Sequence, residues 1–163
     1  MQRAMLFGCA LLLPLWAGCG GPAHVAGDYT IAVTNRENGC GFDGWTVGAS
    51  ASNIPLTVTQ SGSAVTAVVG GTTGVFMHAI LGSKTFTGSV HGDDISMTLY
   101  GTRTFTEGEC AYTVIATAHA DLTGDTLSGT IEYTLATNGS PQCASYENCV
   151  SVQAFNGVRP PLP

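Results

Sequence analysis

The chain has 163 residues, a formal charge of −6 and 10% charged side chains. That length supports one domain with a real core, and five Lys and Arg against eleven Asp and Glu exclude the basic patch that nucleic acids or anionic headgroups require of a partner. Polarity comes instead from Thr, Ser, Asn and Gly, a composition suited to strands rather than to solvent-facing helices.

The N-terminal segment is a leader. Met1-Gln2-Arg3 supplies one positive charge and Ala4 to Leu15 an apolar run too short to span a bilayer. Leu15-Trp16-Ala17-Gly18-Cys19, followed by Gly20-Gly21-Pro22, resembles a bacterial lipoprotein signal. The resemblance implies removal of 1–18, lipidation of Cys19 and a tether over 19–26, and Gly20 resembles the sorting case that ends in the outer membrane. Trp16 stands where such signals usually carry Leu. The alternative is ordinary signal-peptidase cleavage with a secreted or periplasmic product. Beyond the leader, Arg36, Lys84, Arg103 and Arg159 face all eleven carboxylates, a charge near −7.

Eight strands are predicted next, near 28–34, 54–60, 64–69, 84–90, 93–102, 112–122, 126–135 and 149–156. The pattern is clearest where Tyr112, Val114, Ala116, Ala118, Ala120 and Leu122 alternate with polar residues, and again over Leu127, Gly129, Ile131, Tyr133 and Leu135. Period two over ten residues marks a half-buried strand, and Thr123-Gly124-Asp125 makes these two an antiparallel hairpin. No segment reads as an amphipathic helix. Gly70 to Gly82 stays open, since Val75-Phe76-Met77-His78-Ala79-Ile80-Leu81 suits a ninth strand, a helical turn or an apolar lid.

Consecutive hairpins imply an all-β, antiparallel up-and-down barrel over 27–157, because eight strands close without a free edge; a two-sheet sandwich is the competing architecture. Short turns at 61–63, 91–93 and 123–125 gather at one end. The long connections 35–53, 70–83 and 136–148 gather at the other with a shorter loop at 103–109, and a scaffold places recognition on such loops. Arg159-Pro160-Pro161-Leu162-Pro163 cannot continue a sheet, so 158–163 reads as an extended tail.

Six cysteines are present. Cys9 lies in the leader, and lipidating Cys19 leaves Cys40, Cys110, Cys143 and Cys149, an even set suited to disulfides in an extracytoplasmic compartment. The first choice joins Cys143 to Cys149 and Cys40 to Cys110. The alternative joins Cys40 to Cys149, which a closed barrel brings together through its first and last strands, and Cys110 to Cys143.

Over roughly residues 26–159 the pattern resembles the calycin group, the lipocalin-like and avidin-like barrels. Lipocalins carry Gly-x-Trp at the start of the first strand and an Arg after the last strand that covers this aromatic at the closed end. Gly27-Asp28-Tyr29, with Tyr for Trp, and Arg159 hold those positions here. The resemblance implies a cup that holds a small apolar molecule at its long-loop mouth. Read from the residues alone, Tyr29 is core and Arg159 a tail cation. Gly88, Ala116, Ala118, Ala120 and Gly129 either leave a lumen or make room for Phe86, Tyr112, Tyr133, Met97 and Leu99 to fill it. Phe42, Trp45, Phe76 and Tyr146 fall on the presumed rim, as an aromatic mouth or as caps on the core.

No nucleophile elbow, zincin or phosphate-loop motif is present. His91 with Asp93 and Asp94, or His119 with Asp121, match no established metal spacing, and Glu107 and Glu109 flanking Gly108 do not amount to an acid and base pair. The expectation is therefore no catalytic residue, no metal and no cofactor. Three functions are weighed: a cup for a small apolar ligand, a filled barrel whose rim contacts a surface protein or glycan, and an enzyme.

Overall fold

The computed structural model describes residues 21–160. The leader 1–18, Cys19, Gly20 and the tail residues 161–163 lie outside the described residues. Among the described residues nine strands run in chain order as β1 (Gly27–Asn38), β2 (Ser50–Ser61), β3 (Ala64–Val69), β4 (Thr85–His91), β5 (Asp94–Tyr100), β6 (Phe105–Glu107), β7 (Cys110–Thr123), β8 (Thr126–Thr137) and β9 (Ser151–Val158). Between β3 and β4 lies a helix, α1 (Gly71–Leu81).

Consecutive strands pair antiparallel in a meander except β5 and β6, which do not pair with each other; β5 pairs with β7 instead, and β1 pairs with β9. These pairings close an eight-stranded barrel. The remaining strand, β6, falls within the predicted loop 103–109. Both β5 and β6 lie along the same side of β7, at Ile115–Asp121 and Cys110–Tyr112 respectively. Three residues are too few for an alternation to be visible, so this ladder depends on the partner strand.

The inward faces follow the period-two reading. Leu99, Ala116, Val90, Leu127 and Tyr29 are all but inaccessible to solvent. Gly88 and Gly129 serve close backbone approach: a Cβ on Gly129 would lie 2.0 Å from the His119 carbonyl oxygen, and one on Gly88 1.9 Å from that of Ser96. The three inward alanines of β7 are buried in the same core as Met97 and Leu99. Small residues opposite large ones thus fill the body of the barrel.

Turns at Gly62, Gly92 and Gly124 form one end, each with a left-handed glycine. This end is sealed by chain that the sequence reading assigned to tether and tail. Val25 is 1% exposed, and the Ala23 amide donates to the Gly92 carbonyl at 2.8 Å. Arg159 is buried: its guanidinium carbon lies 5.7 Å from the Tyr29 ring centroid, and its donors reach Asp125 Oδ1 at 3.0 Å, His24 O at 2.9 Å and Ala26 O at 2.8 Å. Tyr29 Oη donates to Val25 O at 2.9 Å. The packed unit therefore extends from Val25 to Arg159, and Arg159 is a structural cation rather than a free tail charge.

Segment 70–82 resolves as a helix. Gly82, at φ 78°, terminates α1 with its amide on the His78 carbonyl. The helix is apolar on both sides: Met77 and Leu81 pack towards the barrel, while Val75 and Phe76 are 69% and 65% exposed. An apolar segment without a polar face lacks the 3.6-residue signature, so periodicity did not reveal it.

Candidate ligand cavity at the open end

The long connections crowd the end opposite the Arg159 seal. Of the four cysteines among the described residues, Cys40 bonds Cys149 and Cys110 bonds Cys143, with Cα separations of 4.8 and 5.1 Å. This corrects the first-choice pairing and matches the alternative. Because β1 pairs with β9, Asn38 faces Ser151, and the residues just outside that register, Cys40 and Cys149, meet. Cys143 is carried away from Cys149 by a 3-10 turn at Pro141–Cys143 that folds onto the start of β7. That turn is held by Glu109 N donating to Gln142 Oε1 at 2.9 Å and by Asn138 N on Ala111 O at 2.8 Å.

Pinned in this way, the β1–β2 loop forms one wall of a cavity. Asn38 fixes Phe42 by a reciprocal pair, Phe42 N donating to Asn38 Oδ1 at 2.8 Å and Asn38 Nδ2 to Phe42 O at 3.0 Å. Trp45 Nε1 donates to the Arg36 carbonyl at 3.1 Å. The rings of Phe42, Trp45 and Tyr133 then form a mutual cluster with centroids 5.8 to 6.4 Å apart, two of the three contacts edge-on. Tyr133 Oη donates to Gln153 Oε1 at 2.7 Å, and Gln153 Nε2 donates to Asn35 Oδ1 at 2.8 Å. Burial pushes the Tyr133 phenol above its ordinary range, so it stays a donor.

Phe105 stacks on its ladder partner Tyr112 at 5.5 Å on the cavity wall, and α1 overhangs the mouth with Thr73, Phe76, Met77, Ile80 and Leu81. Ile31, Ile54, Val69, Phe86, Val114 and Ile131 form the floor and sides. The cavity volume is about 410 Å³, within the range of small-molecule sites. So the barrel is filled below and open above.

Of the four rim aromatics singled out from sequence, Phe42, Trp45 and Phe76 border the cavity. Tyr146 is not in its wall. It packs on Tyr112 at 4.9 Å and donates to Glu107 Oε2, a bond that raises its pKa to about 12. The alternation puts Tyr112 and Tyr133 on the interior face, as residues that fill the barrel if no lumen is left. Their place at the strand ends nearest the long loops was the signal that they belong to the mouth. Phe105 and the α1 residues carried no such signal.

Among the described residues, Asp43 is the one acidic or basic side chain bordering the cavity. Among the described residues no three His, Cys, Asp or Glu side chains converge as metal ligands, and no helix is long and apolar enough to cross a membrane. His91 contacts Ser89 Oγ at 3.3 Å, and His119 faces Ser96 across the β5–β7 ladder. At the β5–β7 end Asp121 is held above the usual carboxylate range by a hydrogen bond with Asp94. Two disulfides are those of a chain that folds in an oxidising, extracytoplasmic compartment. No family model, curated protein or solved structure matches the chain.

Proposed function

We propose that the protein is an extracytoplasmic lipoprotein, anchored through Cys19 to the outer membrane, that works without catalysis as a binding cup for a small apolar ligand. The observation that carries this reading is the cavity of about 410 Å³ at the open end, walled by aromatic and aliphatic side chains from nearly every strand. A solid barrel would fill that space with its own side chains, as this one does below Phe86 and Val114. The Tyr29 and Arg159 seal supports the likeness to lipocalin-like cups, which close one end and bind at the other.

Trp45 is the single tryptophan beyond the leader and lines the cavity, so its emission reports on occupancy. Titration with N-phenyl-1-naphthylamine is expected to quench Trp45 saturably as the probe brightens. Filling the floor with Val114→Phe and Ile131→Phe should abolish the response without loss of folding. No saturable response, or equal binding by the filled variant, overturns the cup.

A second reading draws on the exposed Val47, Val75, Phe76 and Tyr100, an apolar surface around the same end. In it, the rim contacts a surface protein or glycan. Trp45→Ala with Tyr146→Ala should then abolish capture of that partner while the filled variant retains it.

A further inference from the structure

The chemistry of the cavity wall narrows the ligand class, an inference that rests on the cup reading. Eleven aromatic side chains follow residue 20, and seven of them border the cavity. The wall's polar groups are largely committed elsewhere: Tyr133 to Gln153, Gln153 to Asn35, Trp45 Nε1 to the Arg36 carbonyl. The Asp43 carboxylate stands at the rim beside this ring cluster, and none of the hydrogen bonds or ion pairs among the described residues engages it. Four more carboxylates, Glu37, Glu107, Glu109 and Glu147, lie on the same end's loops and strand ends. Arg36, Lys84 and Arg103 lie there too, but none of the three borders the cavity.

Ring faces attract a cation through their quadrupoles, most strongly where water is thinned out, and a carboxylate at the rim adds charge complementarity. A carboxylate head placed at the same mouth would meet Asp43 as a like charge and find no cation in the wall. We propose that the cavity selects apolar molecules bearing an ammonium head, with Asp43 as counter-ion and the surrounding rings as its π-faces. The apolar body fills the floor towards Ile54, Val69 and Val114. The head stays at the mouth, where Asp43 is exposed to solvent.

The test compares heads at constant chain length. Decyltrimethylammonium, decanol and decanoate, each kept below micelle-forming concentration, are titrated against Trp45 emission in the chain from residue 20 onward, which holds every strand and both disulfides. The ammonium is expected to bind about tenfold tighter than decanol, with decanoate weakest. Asp43→Asn should weaken the ammonium about three- to fivefold and leave decanol unchanged, and added salt should narrow the gap between heads. Equal affinities for the three heads, tighter binding of decanoate, or an Asp43→Asn effect that is the same on decanol overturn the ammonium assignment and leave the cup standing. Failure of all three to bind overturns both.

Discussion

Replacing Arg159 with Met tests the closed end, because Met keeps an apolar stem while removing the guanidinium fork. The Arg159 side chain is 6% exposed and donates to Asp125 and to the carbonyls of His24 and Ala26, over the face of Tyr29. A hydrogen bond to a charged group is worth about 1.5 to 3 kcal/mol, but not all of that is lost here. Asp125 is 40% exposed and His24 lies at the surface, so water replaces much of what they give up. Ala26 O and the Tyr29 face sit deeper and are not replaced in the same way. The net loss comes to about 3 kcal/mol, which for a barrel of this length lowers Tm by about 10 °C. Arg159→Lys keeps the charge but cannot reach three acceptors at once, and is expected to fall between the two. The assay is reversible thermal or urea unfolding with both disulfides intact. A loss under about 1 kcal/mol for Arg159→Met would refute the reasoning that this cation seals the barrel.

The disulfides should rank by the loops they close. In the chain-entropy account, the Cys40 to Cys149 bridge, spanning 109 residues, contributes about 4.8 kcal/mol and the Cys110 to Cys143 bridge, spanning 33, about 3.7. Paired Cys→Ser variants measured by urea unfolding should therefore show the larger drop for Cys40 and Cys149; the reverse order would contradict the account. Tyrosine ionisation supplies a pH test. Tyr29 and Tyr133 are raised above their ordinary range by burial and Tyr146 chiefly by its bond to Glu107. A phenol whose folded pKa exceeds its unfolded value stabilises the fold fully below pH about 10 and gives that up as pH rises towards the folded value. A spectrophotometric titration should show three phenols ionising late, with Glu107→Gln returning Tyr146 towards pH 10; uniform titration near pH 10 would contradict the burial of Tyr29 and Tyr133.

The barrel was legible because its evidence is local. Alternation over Tyr112 to Leu122 and Leu127 to Leu135 gives faces, glycine turns give hairpins, and eight successive strands give closure. Helix α1 stayed one of three readings of its segment because Val75, Phe76, Met77, Ile80 and Leu81 surround its axis and leave no 3.6-residue pattern. The Arg159 seal was foreshadowed by the Gly27-Asp28-Tyr29 and Arg159 resemblance, whereas the insertion of Val25 depends on contacts across more than 30 residues, such as its amide on Gln60 Oε1. Disulfide connectivity could not be chosen until the β1–β9 pairing set Cys40 beside Cys149. Of the cavity, the sequence identified the rim aromatics Phe42, Trp45 and Phe76. That Tyr133 and Tyr112 stop short of the core's centre is a matter of register and strand length, which no single strand's pattern contains.

Native mass spectrometry of the chain from residue 20 onward, secreted through an oxidising compartment and compared with its denatured mass, tests the cup most directly. The account predicts a native excess on the order of a few hundred daltons that vanishes on denaturation and is absent from the filled Val114→Phe, Ile131→Phe variant. A native mass equal to the bare oxidised chain, unchanged after incubation with decyltrimethylammonium, decanol or decanoate, would contradict it.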